Sequence, residues 1–301
     1  MLLPVASSEG EPWHVVLACR DAKRAQAAVE RLNGLGRSPG RRAEAMSLDL
    51  ASLASVRAFA TALIAKVSAS SIPVLHGLVC NAGVQTGTKR TFTVDGFESS
   101  FGVNHLGHFL LVTKLLPILA SPARVTVVAS GTHDPAQKAG PPPPAWNEPA
   151  ALFRGELGAG AAKDGPFALG QRLYTTSELA NVYFTYALAR RVATGVTANA
   201  FDPGLMPGTG LLRNAAPPLR FVAKHVLPHV KPLLRRFLTP NVHTVEESGA
   251  ALARLMTDPL LGSTSGKYFE GQKEIRSSTG SYDTDRAEEL WKVSEVLTET
   301  E

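Results

Sequence analysis

Residues 75–83 read Leu-His-Gly-Leu-Val-Cys-Asn-Ala-Gly, a short apolar run that ends directly in a turn of small and polar residues. The apolar part lacks the alternation of a strand with one solvated face, and it therefore predicts a strand buried on both faces. Outward from it, helical patterns separate further runs of this kind at 14–19, 45–48, 124–128 and 196–201. Repeated strand–helix units of this size predict an α/β fold, with a doubly wound parallel sheet covered by helices on both faces.

The composition indicates a folded chain and excludes several classes of protein. With 301 residues, 44% hydrophobic and 19% charged, the chain has enough apolar material for a core, which excludes a disordered protein. Cys19 and Cys80 are too few for a disulfide framework, and they predict a reducing compartment, either the cytoplasm or the interior of an organelle. The net charge of +5 suits an anionic ligand and is too small to indicate a nucleic-acid-binding protein.

Neither a membrane span nor a secretory signal is evident. No apolar run reaches the length that a spanning helix needs, and the first residues lack the charged and apolar regions of a signal peptide. We therefore expect a protein that is not secreted, and any targeting peptide would lie upstream of the given start.

Small and polar residues follow the predicted strands, at the edge of the sheet where doubly wound folds bind their ligands. They are Arg20, Asp49, Asn81, Ala82, Gly83, Ser130, Pro203 and Gly204. Because the carboxyl ends of parallel strands meet at one edge, these residues predict a single site there.

Five stretches place reactive or small residues in the elements that such a site needs. They are CNAG at 80–83, VNHLGHF at 103–109, VVASG at 127–131, YTTSELAN at 174–181 and DPGLMPGT at 202–209. In this order they resemble the short-chain dehydrogenase/reductase family, from Trp13 to near the end of the chain. Within the family they are most similar to protochlorophyllide reductases and retinol-dehydrogenase-like enzymes. The resemblance implies one Rossmann-like domain over residues 1–301.

The resemblance also assigns catalytic roles. Tyr174 would be the general acid/base, Ser130 the partner of the substrate oxygen, and Asn104 the family's structural and catalytic asparagine. Hydride transfer to a carbonyl needs a proton donor at the oxygen and a second donor to polarise it, and the two hydroxyl groups suit these tasks. Asn104, in mid-helix, is expected to be buried and to bond a backbone carbonyl or an ordered water.

The cofactor implied by the resemblance is NADP(H). Its binding residues would be Asn81, Ala82, Gly83, Pro203, Gly204 and Thr209. Arg20 lies where the family distinguishes a ribose 2′-phosphate from a free hydroxyl, which favours NADP(H) over NAD. Asp49, after the next strand, is placed to accept a hydrogen bond from the adenine amino group.

We expect no metal site. His105, His108 and His133 lie near the predicted cleft, but no carboxylate or cysteine at suitable spacing completes a ligand set with them.

The chain departs from the family pattern at its start. The glycine-rich strand–turn–helix unit that binds the dinucleotide phosphates needs about 30 residues, whereas only twelve precede the strand near Trp13. We therefore expect an N-terminally incomplete domain, with weakened cofactor binding and with neighbouring strands that lack ladder partners. A truncated reading frame or an alternative start is one explanation, and a naturally repurposed scaffold is the other.

A second departure is Glu178, which stands where the family has a lysine. That lysine holds the nicotinamide ribose and lowers the tyrosine pKa. A carboxylate four residues from Tyr174 would raise that pKa instead, which argues against ordinary dehydrogenase activity.

Two segments interrupt the strand–helix alternation. Residues 133–170 are predicted to be an irregular insertion, and residues 205–240 a lid over the substrate. Within the lid, 219–238 carries basic residues among apolar ones, which would also suit a helix at a membrane surface. Pro228 and Pro232 interrupt such a helix and favour the lid.

The leading interpretation is an NADP(H)-dependent oxidoreductase that acts on a carbonyl, an alcohol or a conjugated double bond of a hydrophobic small molecule, with activity impaired by the two departures. One alternative is a catalytically silent family member that binds a ligand or a partner. Another is a cofactor-independent lyase or isomerase that uses Tyr174 and Glu178 as its acid/base pair. A homo-oligomer is compatible with all three, and titration with NADPH separates the first from the others.

Overall fold

The computed structural model describes residues 13–35, 42–137, 140–206 and 241–299. Its strands are β1 (His14–Cys19), β2 (Arg42–Ser47), β3 (Leu75–Cys80), β4 (Leu119–Val128), β5 (Val196–Asp202), β6 (Tyr268–Glu270) and β7 (Lys273–Ile275). Its α-helices are α1 (Ala22–Leu35), α2 (Leu53–Ser68), α3 (Ser99–Phe101), α4 (Gly107–Leu115), α5 (Pro149–Phe153), α6 (Pro166–Ala189), α7 (Val245–Thr257) and α8 (Thr284–Glu299). A π-helical segment, Gly102–Leu106, joins α3 to α4.

Five strands form one sheet in the order β3-β4-β5-β6-β7. The strands β3 to β6 are parallel, and β7 runs antiparallel to β6. β4 pairs on both of its edges, which places it inside the sheet. This parallel-dominated sheet with its helices confirms the predicted Rossmann-like α/β fold.

The first two strands form a separate parallel pair, with His14 opposite Arg42 and Cys19 opposite Ser47. Within the described ranges no ladder joins β1 to β3. Val16 of β1 packs into the main core of the molecule. Four other buried side chains of this unit form a small cluster of their own, made of Val15, Leu17, Val29 and Ala43.

Helix α6 lies in the main core, and every residue from 173 to 188 is buried. The C-terminal helix α8 packs across it. Trp291 of α8 contacts Phe109 of α4 and Phe184 of α6, with ring centroids 4.9 Å and 5.9 Å apart. Helix α6, which carries Tyr174, is therefore held between the sheet and α8.

Local sequence signals set several helix ends. The Ser52 hydroxyl accepts the backbone N–H of Ser55 at the start of α2. Thr244 and Glu247 form a reciprocal capping box at the start of α7. α6 begins with Pro166, whose missing N–H costs nothing in the first turn of a helix.

Some boundaries differ from the sequence prediction. The insertion at 133–170 was predicted too long and too irregular, because α6 already begins at Pro166 and the short helix α5 lies inside the segment. β4 begins at Leu119, five residues before the predicted start at 124, because Leu119 pairs with Leu75 of β3.

Residues 207–240, which include most of the predicted lid and all of 219–238, lie outside the described residues. None of the described helices has the length and apolar character needed to cross a membrane.

Candidate active site

Ser130 lies two residues after the end of β4 and caps a short turn, Gly131–His133. Its hydroxyl oxygen accepts hydrogen bonds from the backbone N–H and the hydroxyl of Thr132, at 3.3 and 3.1 Å. These two donors fix the oxygen, so the proton of the Ser130 hydroxyl is directed away from Thr132. The local sequence thus presents a serine O–H at the carboxyl end of the sheet.

His133 holds the Ser130 turn in place through hydrogen bonds at both of its ring nitrogens. Its Nε2 accepts the backbone N–H of Ser278 at 3.1 Å, so Nδ1 carries the hydrogen and donates to the Ser130 carbonyl at 2.7 Å. The ring is completely buried, and burial lowers its pKa, which keeps it neutral. His133 is therefore a hydrogen-bonded anchor of the turn.

Tyr174 and Glu178 lie one turn apart on α6, and both are buried, with 7% and 5% of their surface exposed. The Tyr174 hydroxyl interacts with the side chains of Ser130 and Glu178. Three of the four residues predicted to be catalytic thus meet at the carboxyl end of β4.

The charges of this cluster are set first by burial. Burial raises the pKa of Tyr174 well above its usual value, and the nearby Glu178 and Asp202 raise it further. Burial also raises the pKa of Glu178 to about 8, with Asp202 as the second cause. Glu178 therefore carries a proton at neutral pH. The predicted direction for the pKa of Tyr174 is correct. The expectation of a charged carboxylate at Glu178 is wrong, because sequence spacing does not reveal burial.

Asp202, the last residue of β5, was not among the predicted site residues. It is 2% exposed, and it accepts hydrogen bonds from the backbone N–H groups of Gly131 and Gly204 and from the Asn241 side chain, each at 2.8 Å. The available signal was an acidic residue at the end of a buried strand, directly before Pro203 and Gly204.

Asn104 lies in the π-helical segment and is completely buried. Its side chain accepts the N–H of Val84 at 2.8 Å and donates to the Val84 carbonyl at 3.0 Å. It also donates to the Ser177 hydroxyl at 3.0 Å, and Ser177 in turn donates to the Tyr174 carbonyl at 2.8 Å. Asn104 therefore links the turn after β3 to the helix that carries Tyr174, with the backbone carbonyl partner expected from the sequence.

The residues predicted to hold the cofactor fall into two groups. Arg20 and Asp49 form a loose ion pair, 3.8 Å between Nη1 and Oδ2, and the Arg20 side chain is 69% exposed. Asn81, Ala82 and Gly83 lie in an exposed loop after β3. Pro203 and Gly204 follow β5, and Gly204 has a φ of +74°, a conformation that favours glycine. Thr209 lies outside the described residues.

In the part of the chain that the structure describes, no three His, Cys, Asp or Glu side chains are grouped so that they could hold a metal ion. His105 and His108 are buried in the core, where burial lowers their pKa values to about 3 and about 4. Both are therefore neutral at physiological pH.

Comparison with known sequences finds a matching family model and several similar proteins. A family model described as short chain dehydrogenase matches residues 8–139. The chain is 36% identical to protochlorophyllide reductase B, chloroplastic, of Hordeum vulgare over 310 residues, which cover 97% of this chain and 74% of the relative. It is 35% identical to protochlorophyllide reductase of Avena sativa over 310 residues, which cover 97% of this chain and 93% of the relative.

Solved structures show a similar fold. An uncharacterized protein from Mycobacterium Paratuberculosis matches with a TM-score of 0.60 and 27% identity, over 95% of this chain and 84% of that chain. A blue fluorescent protein from a metagenomic library, in complex with NADPH, matches with a TM-score of 0.56 and 22% identity, over 86% of this chain and 87% of that chain. The second likeness shows the fold alone.

Proposed function

Because the chain belongs to the short-chain dehydrogenase family, whose members are oxidoreductases, we propose that it is an NADP(H)-dependent enzyme for a hydrophobic small molecule. The reacting group would be a carbonyl, an alcohol or a conjugated double bond. The observation that carries the proposal is the meeting of the Ser130 and Tyr174 side chains after β4. The sequence relatives named protochlorophyllide reductase support a reductase.

The described residues suit the adenosine end of NADP(H). Arg20 offers an exposed guanidinium whose one described ion pair is loose, and this group can bind a 2′-phosphate bidentately. Asp49 lies beside it with one carboxylate oxygen bonded to the N–H of Ala51. On the nicotinamide side, Glu178 offers carboxyl oxygens to ribose hydroxyls in place of an ammonium group.

When bound, the dinucleotide supplies or accepts the hydride. The Tyr174 hydroxyl donates the proton to the substrate, and the Ser130 hydroxyl donates a hydrogen bond to the substrate oxygen. Glu178, protonated at neutral pH, then returns a proton to Tyr174. Because the pKa of Glu178 is about 8, its proton is available near the working pH of a general acid.

The proposal is tested by titrating the protein with NADPH and by following NADPH consumption with a panel of hydrophobic ketones, aldehydes and conjugated compounds that includes protochlorophyllide. Tyr174→Phe should lower the rate by about 100-fold or more, since a general acid is lost. Tyr186→Phe is the matched control. It removes a buried hydroxyl from the same helix, and the partner of that hydroxyl is Ser277. A wild-type protein that neither binds NADPH nor consumes it would contradict the proposal.

A second candidate function is a cofactor-independent lyase or isomerase in which Tyr174 and Glu178 act as the acid/base pair. The protonated, buried Glu178 beside a tyrosine hydroxyl favours it, because both partners of a proton transfer are in place without a dinucleotide. Conversion of a panel compound in the absence of NADPH and NADP, abolished by Glu178→Gln, would support this candidate against the first.

The proposed location is a reducing compartment, in the cytoplasm or inside an organelle. Cys19 and Cys80 are free thiols, and burial raises the pKa of Cys80 to about 12, which makes it unreactive. Several sequence relatives carry the word chloroplastic in their names. Fractionation of the host cell, followed by detection of the protein, tests this location.

A further inference from the structure

The carboxylate of Asp202 has donors on both of its oxygens. Oδ1 accepts the N–H of Gly204, and Oδ2 accepts the N–H of Gly131 and the amide of Asn241, all at 2.8 Å. The three partners lie on three different segments that meet beside Ser130. Because its oxygens are occupied by fixed donors, Asp202 is poorly placed to act as an acid or base itself.

Two glycines make this arrangement possible. A Cβ on Gly131 would lie 2.9 Å from Oδ2 of Asp202 and closer still to Gln137, so any side chain at this position would push the turn away from the carboxylate. Gly204 has a φ of +74°, and a Cβ there would lie 2.3 Å from Oδ1 of Asn241. Both amides that bond Asp202 thus belong to residues where other side chains do not fit.

We propose that Asp202 is a positioning residue, which joins the turn that carries Ser130 to the loop of Pro203 and Gly204. It thereby sets the place of the Ser130 hydroxyl relative to the cofactor side of the site. The inference rests on the oxidoreductase function proposed above. It assigns to Asp202 a task that neither Ser130 nor Gly204 can perform, since their segments are linked here through one carboxylate.

The charge of Asp202 adds an electrostatic effect. The titratable groups that face it are Tyr174 and Glu178 from α6 and Tyr268 and Glu270 from β6, while His243 lies one step away on Asn241. Burial, as the largest cause, raises the pKa of Asp202 to about 6. Asp202 is therefore charged at neutral pH, and its charge favours the protonated form of Glu178.

The first test compares Asp202→Asn with Asp258→Asn. Asp258 also accepts a backbone N–H, from Leu260, but it caps α7 and bonds Arg254, away from the Ser130 turn. Asp202→Asn should lower kcat by about 100-fold, with a smaller change in KM for NADPH, because the Ser130 turn shifts. It should also move the alkaline limb of the pH profile to lower pH, because the charge that holds the proton on Glu178 is gone. Wild-type kcat and an unmoved limb in Asp202→Asn would overturn the proposal.

The second test needs only the wild-type protein, so it does not depend on the folding of a variant. The backbone amide resonances of Gly131 and Gly204 should shift together, with one midpoint, as Asp202 titrates between pH 4.5 and 7.5. The amide of Gly266, which bonds the Ala198 carbonyl, serves as the reference. Separate midpoints, or resonances that do not move, would overturn the proposal. Co-titration in a protein without NADPH turnover would instead remove the proposed function and leave the link through Asp202 intact.

Discussion

The carboxamide of Asn104 pairs with the backbone of Val84 in both directions, accepting its N–H at 2.8 Å and donating to its carbonyl at 3.0 Å. The side chain thus makes the pair of backbone hydrogen bonds that a neighbouring strand would make with the segment after β3. Its third bond, to Ser177, carries this link to the helix of Tyr174. One buried residue therefore connects the segment after β3 to the helix that carries Tyr174.

Asn104→Ala should lower the free energy of unfolding, because it leaves the N–H and the carbonyl of Val84 without these partners. Each polar group left unpaired costs about 1–3 kcal/mol when it is buried. Urea unfolding measures the change. Asn147→Ala is the control, since Asn147 makes similar backbone bonds in an exposed loop, and it should cost about 0.5 kcal/mol or less. Equal losses in the two variants would mean that Asn104 does not stabilise the turn.

Replacing Glu178 should change both the rate and its pH dependence. Glu178→Lys places a cation beside Tyr174, which lowers the pKa of the hydroxyl, and NADPH-dependent reduction should rise on the order of tenfold or more. Glu178→Gln should lower the rate, because the returning proton is lost, and should abolish the fall in activity as the pH rises through about 8. pH–rate profiles of the three proteins measure this. Identical profiles would show that Glu178 takes no part in the proton transfer.

Arg20→Ala should erase a preference for NADPH over NADH. A charge-assisted contact to the 2′-phosphate contributes about 1–3 kcal/mol, so wild-type binding should favour NADPH by this amount. Dissociation constants for both dinucleotides provide the measurement. Arg24→Ala removes an exposed arginine of α1 that pairs with Asp21, the residue directly before that helix, and it should leave the preference unchanged. If the wild type binds the two dinucleotides equally, Arg20 does not read the phosphate.

The buried His105 should make the protein sensitive to acid. Burial lowers its pKa to about 3 in the folded state, whereas the unfolded chain takes up the proton near pH 6.5. Its stabilising effect is therefore present above pH 6.5 and is lost as the pH falls towards 3. Between pH 7.5 and 5.0 the loss should be about 2 kcal/mol.

Urea unfolding of His105→Phe at these two pH values should show a loss smaller by that amount. The half-buried His76, changed to phenylalanine in the same way, is the control for the substitution itself. A His105→Phe protein with the wild-type pH dependence would show that this ring does not control the acid sensitivity.

The pair of strands β1 and β2 should exchange its amide hydrogens faster than the five-stranded sheet. An isolated two-stranded pair is marginally stable, and the cluster that supports this one is small, whereas β4 is bonded on both edges. Hydrogen exchange followed by mass spectrometry should find residues 14–19 less protected than residues 124–128. Equal protection of the two peptides would mean that the separate sheets open as one unit.

The parts of the fold that sequence predicts well are those with local causes. β1 and β3 have the predicted bounds, because each is an apolar run stopped by polar or small residues. The start of α6 was missed, because Gly165 and Pro166 look like loop residues until helical packing is known. The burial of Asn104 follows from its place in a helix, but its partner Val84 lies in a loop twenty residues earlier.

Electrostatic states are harder to predict, because they depend on distant segments. The position of Glu178 is plain from the sequence, yet its protonation depends on burial and on Asp202. The bonds of Asp202 reach Gly131, seventy-one residues away, through an approach that a glycine permits. Neither the periodicity of the sequence nor the spacing of its motifs predicts such contacts.

The packing of α8 over α6 has a consequence for synthesis on the ribosome. Trp291 and Ser294 of α8 contact Phe184 on the helix that carries Tyr174, and Phe109 and His105 beside that helix. These partners stay uncovered until α8 has been synthesised, because that helix follows them in the sequence. A nascent chain stalled before Thr284 should therefore expose an aromatic surface that chaperones can bind.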